Sequence, residues 1–170
     1  MIDIETLGRR NDAAIREVGL VAFRYDGSII ATRQLSLHPY AWSKNCRTFT
    51  GETIQWLVEE GFIAKDLNCP SYECLLDSID KFFSNHIDEG SFVWSKGHMD
   101  LEVLKDLYET FDRPLPWEFW QPRDLRTILD FVPSAKKLAP NAQPHRAVGD
   151  AVYQVNQLCI VLPQLMSKKS

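Results

Sequence analysis

The chain has 170 residues, the size of one compact domain, and its 45% apolar and 25% charged content excludes a disordered or fibrous protein. Nine Phe, five Trp and five Tyr supply enough bulk for a core that needs no metal or disulfide staple. The formal charge of −4 excludes a nucleic-acid binder that works through a broad basic face, but not an enzyme that holds phosphates through metal ions.

In chain order, Met1–Thr6 reads as a short strand, with Ile2 and Ile4 on one face and Asp3 and Glu5 on the other. Ala14–Tyr25 is a mostly apolar strand, Asp26-Gly27-Ser28 a hairpin turn, and Ile29–Leu37 the returning strand. After an irregular stretch at His38-Pro39, Thr50-Gly51-Glu52-Thr53 can cap a helix lined by Ile54, Leu57 and Val58. A second helix runs from Ser71 to His86, with Leu75, Leu76, Ile79, Phe82 and Phe83 at helical spacing. Ser91–Trp94 is a short buried strand and Asp100–Phe111 a helix, after which Pro114 and Pro116 break the pattern. A long helix over Arg146–Leu165 closes the chain. Without repeats or low-complexity linkers, residues 1–170 read as a single α/β domain in which helices flank a mixed sheet.

Cys46, Cys69, Cys74 and Cys159 form no CxxC pair, so reduced structural thiols are expected rather than a zinc site. No window approaches the ~18 apolar residues of a membrane span. The opening Met-Ile-Asp has neither a basic nor an apolar leader pattern, and a soluble, cytoplasmic protein is expected.

The polar residues of the first strand carry the chemistry. Asp3 and Glu5, two apart on a strand, point to the same side, where two carboxylates repel unless a cation lies between them. Rigidly held oxygen ligands suit a hard ion such as Mg²⁺ or Mn²⁺. Asp100 follows a strand and a Gly97 turn and opens a helix, which hangs its carboxylate at a strand end, where α/β proteins build sites. His145 and Asp150 are five residues apart, about 140° on a helix, so they can converge only if His145 precedes the helix. Pro140 and Pro144 make that placement natural.

With Asp3-Ile4-Glu5-Thr6, a mid-chain Asp100, and His145-Arg146-Ala147-Val148-Gly149-Asp150, the chain resembles the DEDDh 3′–5′ exonucleases, a family of ribonuclease H-like fold. Thr53-Ile54-Gln55-Trp56-Leu57, Pro116-Trp117-Glu118-Phe119-Trp120 and Arg123-Asp124-Leu125-Arg126-Thr127 look like the subgroup of exonuclease VIII-like phage and prophage proteins and ribonuclease AS. The resemblance implies that Asp3, Glu5, Asp100 and Asp150 hold two divalent ions, Mg²⁺ or Mn²⁺, and that His145 acts as general base. It also implies that Thr6, Leu7 and Gly8 lie near the terminal nucleotide, with Leu7 wedged against its base. The implied substrates are the 3′ ends of single-stranded DNA or RNA, the product a nucleoside 5′-monophosphate, and the implied assembly a homodimer. The rival readings are a non-catalytic nucleic-acid-binding scaffold of the same fold and a ribonuclease H-type endonuclease; His145 and the absence of a basic duplex-binding surface disfavour the latter.

Other residues have plainer readings. Trp56 and Trp94 are expected in the core, and Trp117 and Trp120 in packing or a dimer contact. His98 is expected at the surface or behind the ligands, Lys96 and Arg146 as compensating charge or phosphate contacts. Arg123, Asp124 and Arg126 read as a salt-bridged group at a helix start, and Lys168-Lys169-Ser170 as a frayed tail.

Overall fold

A computed structural model describes residues 1–61, 67–132 and 145–167 of the chain. Pro140, Pro144 and the Lys168–Ser170 tail lie outside the described residues. Three antiparallel strands, β1 (Ile2–Thr6), β2 (Ile15–Phe23) and β3 (Ile29–Ser36), form a sheet with β2 in the middle. The helices α1 (Gly51–Glu59), α2 (Tyr72–His86), α3 (Met99–Thr110), α4 (Leu125–Phe131) and α5 (Ala147–Ser167) surround it. Two short strands, β4 (Val93–Ser95) and β5 (Pro122–Asp124), pair in parallel, and β4 approaches β1. The architecture is mixed α/β, as expected.

The strand alternation sorts side chains into two cores. Ile2, Ile4, Val18, Leu20, Ala22, Leu35 and Leu37 pack with Leu75, Leu76 and Ile79 of α2 and Leu104 and Leu107 of α3. Met1 and Val21 pack on the other side with Leu125 and Leu129 of α4 and Val155 and Leu158 of α5. The central strand β2 is therefore buried on both faces, which explains its near-continuous apolar reading.

Toward the start of α5 this second face turns polar. Cross-strand pairing aligns Asp3 with Gly19 and Gln34, and Glu5 with Glu17 and Ser36. Gly19 lets the helix come down onto the sheet: a Cβ there would lie 2.2 Å from the Ala147 carbonyl carbon and 2.4 Å from the Val148 nitrogen. Only a residue without a side chain fits that approach.

β5 has no counterpart in the sequence-based expectations, and of α4 they hold only a helix start around Asp124. Pro122-Arg123-Asp124 has no alternation to betray a strand, and a three-residue parallel pairing needs none. The group at Asp124 is a helix cap rather than a salt bridge: its carboxylate accepts from the amides of Arg126 at 2.9 Å, Thr127 at 3.3 Å and Gly97 at 2.8 Å. That last bond ties the β4–α3 turn to the start of α4. Among the described residues, no helix is long and apolar enough to cross a membrane.

Gly19→Ala is expected to cost about 1–3 kcal/mol as overpacking, because backbone atoms cannot yield as a flexible side chain does. Gly51→Ala, whose Cβ would meet nothing within 4 Å at the start of α1, is expected to be neutral or stabilising by up to about 1 kcal/mol. Urea unfolding of both variants checks the contrast, and equal midpoints would contradict it.

Candidate active site

Four carboxylates and one histidine, drawn from β1, α3 and the start of α5, gather on the polar face of the sheet. Asp3, Glu5 and Asp150 each offer an oxygen within 4.8 Å of the others. Asp100, in the first turn of α3, is close enough that its charge opposes the ionisation of Asp3, and its own is opposed by Glu5. His145 sits just ahead of α5, with a left-handed φ of 61° that no helix would permit. Its amide donates to the Asp150 carboxylate at 2.8 Å. All five residues singled out from the sequence thus lie together, and the 140° problem is solved as anticipated, by His145 preceding the helix.

A buried ion cluster, which the sequence reading passed over, fixes the start of α5. Thr6 pairs with Ile15 but Glu5 pairs with Glu17, so Arg16 is the extra residue of a β-bulge. Bulges re-aim side chains. Here the bulge returns Ile15 to the α2–α3 core and sends Arg16 beneath the site. The Arg16 guanidinium, 1% exposed, donates to the His145 carbonyl at 2.8 Å and to Glu17 at 3.2 Å, and lies 3.6 Å from Glu5. Glu17, fully buried, accepts from Gln34 at 2.8 Å and from the Ala147 amide at 3.4 Å, with the Arg146 guanidinium also 3.4 Å away. Gln34 in turn accepts from the Val148 amide at 3.0 Å. Side chains of β2 and β3 therefore satisfy two of the free amides that open α5, and a carboxylate meets the positive end of the helix dipole. An adjacent Arg-Glu inside an otherwise apolar, doubly buried strand was the available signal.

The electrostatics are those of a site built for a cation. Burial pushes the Asp3 carboxyl up to about 9, with Asp100, Glu5 and Asp150 adding to the rise, against a 2.6 Å hydrogen bond from Gln154. Burial likewise lifts Asp100 to about 7, partly offset by a backbone hydrogen bond with Ile4. Glu5 is raised by burial and by Asp150, with Arg16 opposing. Gln154 is itself buried, and its Oε1 has no hydrogen-bond partner. Clustered carboxylates and an orphaned amide oxygen make an all-oxygen donor set, which fits a hard divalent ion.

Around this centre, Thr6 Oγ1 donates to the Gly8 carbonyl at 2.7 Å, which folds the chain back after β1. Gly8 is buried, with the Ala13 Cβ 3.4 Å from where its own would stand. Leu7 is fully buried, packed with Ala14 and Leu57, so in this conformation its side chain supports the loop from within. Arg47 secures the same loop through the carbonyls of Asn11 and Ala13 and an ion pair with Asp106.

Trp94 and Trp117 are buried as expected, and Trp120 is half exposed. Trp56 is a correction: it is 38% exposed, and its ring meets that of His145 edge-on, 5.1 Å between centroids at 82°. On α1 the inward position belongs to Leu57, and its neighbour Trp56 projects toward the site instead. His98 is exposed at the start of α3, the Lys96 carbonyl accepts from Arg126, and Arg146 turns its guanidinium toward Glu17. All four cysteines are free thiols.

The raised carboxyls have a consequence for pH. The unfolded chain ionises Asp near pH ~4, before the folded site does, so without metal stability falls as pH rises from about 4 toward the folded values of about 7 for Asp100 and about 9 for Asp3. A divalent cation displaces those protons, so the melting-temperature gain on adding Mn²⁺ should grow over the same window. Asp3→Asn should flatten the metal-free decline. A metal-free melting temperature that rises across this window, or a Mn²⁺ gain that is independent of pH, would contradict the assignment.

Comparison with known proteins agrees with this geometry. Residues 1–162 match the family model described as the Rv2179c-like 3′-5′ exoribonuclease domain. The chain is also 27% identical, over 158 aligned residues that cover 76% of it and 70% of the relative, to a protein named exodeoxyribonuclease from Enterobacteria phage T4. The family match takes in the Asp3–Glu5 strand, Asp100 and the His145–Asp150 turn alike, and the chain belongs to the Rv2179c-like family and is a 3′–5′ exonuclease.

Proposed function

We propose that the chain is a DEDDh exonuclease of ribonuclease H-like fold, a single catalytic domain that removes nucleotides from the 3′ end of single-stranded nucleic acid. The observation that carries the reading is the convergence of Asp3, Glu5 and Asp150 within 4.8 Å, with His145 hydrogen-bonded to the last of them through its amide. Two divalent ions, Mg²⁺ or Mn²⁺, held by Asp3, Glu5, Asp100 and Asp150, would supply Lewis acidity to the scissile phosphate and acidify the attacking water.

The protein's own residues do the rest. An imidazole nitrogen of His145 takes a proton from the water as its oxygen bonds to phosphorus. The bond from phosphorus to the penultimate 3′-oxygen breaks, and a nucleoside 5′-monophosphate leaves. The exposed position of His145 gives water access to the ring, and the two bonds to its backbone hold it beside the carboxylates. Thr6 and Gly8 present the loop edge on which the terminal sugar rests, and Leu7 braces that edge from inside. Membership in an exonuclease family sets aside the non-catalytic scaffold. The fuller match to an exoribonuclease family favours RNA over DNA as substrate. In solution the chain forms a homodimer, a reading that rests on the family resemblance, and it works in the cytoplasm.

Matched single-stranded DNA, RNA and poly(A) oligomers, with a circular single strand of each chemistry, test the reading with Mn²⁺ present. Linear RNA should be degraded fastest and both circles left intact. Asp150→Asn should lower kcat by at least about 10³-fold, on the scale of an electrostatic catalytic element. Cleavage of a circle, or an Asp150→Asn enzyme that retains wild-type activity, would overturn it.

A further inference from the structure

We propose that Trp56 is a positioning residue that holds the His145 imidazole in the orientation needed to accept the proton from water. The inference rests on the general-base reading of His145. The backbone of His145 is fixed on both sides, its carbonyl by Arg16 at 2.8 Å and its amide by Asp150 at 2.8 Å, at a left-handed φ of 61°. Both bonds are made by the backbone rather than by the ring, and the residue is exposed. Only some of the rotamers open to a histidine aim its ring nitrogens at the carboxylates, so contacts to the ring itself decide its use as a base. The Trp56 ring, edge-on at 5.1 Å and 82°, has the geometry of a favourable aromatic pair.

The helix that carries Trp56 is tied to the site rather than placed beside it by chance. Leu57 of α1 packs against Leu7 and Ala14, and the amide of Thr50, the cap of α1, donates to the Leu7 carbonyl at 2.9 Å. Leu7 follows Glu5 by two residues, so α1, the first carboxylate strand and the histidine turn are locked in one frame. A tryptophan 38% exposed buries too little to be explained as core, and its placement is explained by what it touches.

Steady-state kinetics of the Mn²⁺-loaded enzyme on a 3′-labelled oligomer test this in a cycle of four proteins: wild type, Trp56→Leu, His145→Ala and the double variant. Trp56→Leu should lower kcat by about three- to tenfold with KM within about twofold, the loss expected of one aromatic pair. Trp56→Phe, which restores an aromatic edge, should recover most of it. In the His145→Ala background, Trp56→Leu should cost less than about twofold, since no imidazole is left to orient. A nucleobase platform would instead raise KM, or cost the same factor in both backgrounds, and either outcome overturns the positioning role while leaving the general base intact. A His145→Ala enzyme with undiminished kcat overturns the general-base reading, and the positioning role with it.

Discussion

The structure hinges on how closely the N-terminal end of α5 is laid onto the central strand. Gly19 permits backbone-to-backbone approach, and the Arg16–Glu17 pair beside it fills the interface with charge that must be matched. Besides their own contact and the bond to Gln34, the pair reaches toward the site, to the His145 carbonyl, the Ala147 amide, Arg146 and Glu5. Arg16 thus connects residues 129 positions apart and brings the first and last carboxylate segments to one place. Removing one partner of a buried ion pair strands the other, at a typical cost of about 3–5 kcal/mol. The same cluster that stabilises the docked helix therefore makes the docking all-or-none. Its position under the carboxylates and His145 ties the assembly of the candidate site to completion of the fold.

The carboxylates above this foundation are arranged at the expense of stability. Asp3 and Asp100 are half-buried beside like charges and hold their protons above the usual carboxylate range. A protein gains nothing from such a cluster until a cation enters it. Two divalent ions would also cancel the formal charge of −4, so the acidity of the chain is no obstacle to a polyanionic substrate. Under the proposed reading, recognition would be concentrated at the carboxylate cluster, which suits an enzyme that grips a chain end rather than the length of a duplex.

Much of this was legible in the sequence because the relevant signals are local. Alternation placed Ile2 and Ile4 opposite Asp3 and Glu5, and helical spacing along Ser71–His86 marked the buried stripe of α2. The five candidate residues that the structure brings together stand in short motifs whose spacing has a geometric meaning. What escaped notice depends on contacts between distant segments. The bulge at Arg16 is defined only by its pairing with β1, and the apolar average of β2 concealed two buried charges. β5 exists because β4 lies beside it, not because Pro122-Arg123-Asp124 favours a strand. Trp56 and Leu57 are neighbours in an apolar pattern, yet one turns inward and the other reaches His145. Composition could not distinguish them, since a tryptophan suits either place.

The central claim is that this carboxylate site consumes nucleic acid from the 3′ end and needs a divalent ion to do so. The most direct measurement follows two copies of one single-stranded oligomer, labelled at the 3′ or the 5′ end, with and without Mn²⁺, in wild type and Asp3→Ala. The account predicts immediate release of 3′-labelled mononucleotide and a descending ladder from the 5′-labelled strand, only with metal and only in wild type. Mononucleotide released first from the 5′ label, or activity that survives Asp3→Ala or chelation, would contradict it.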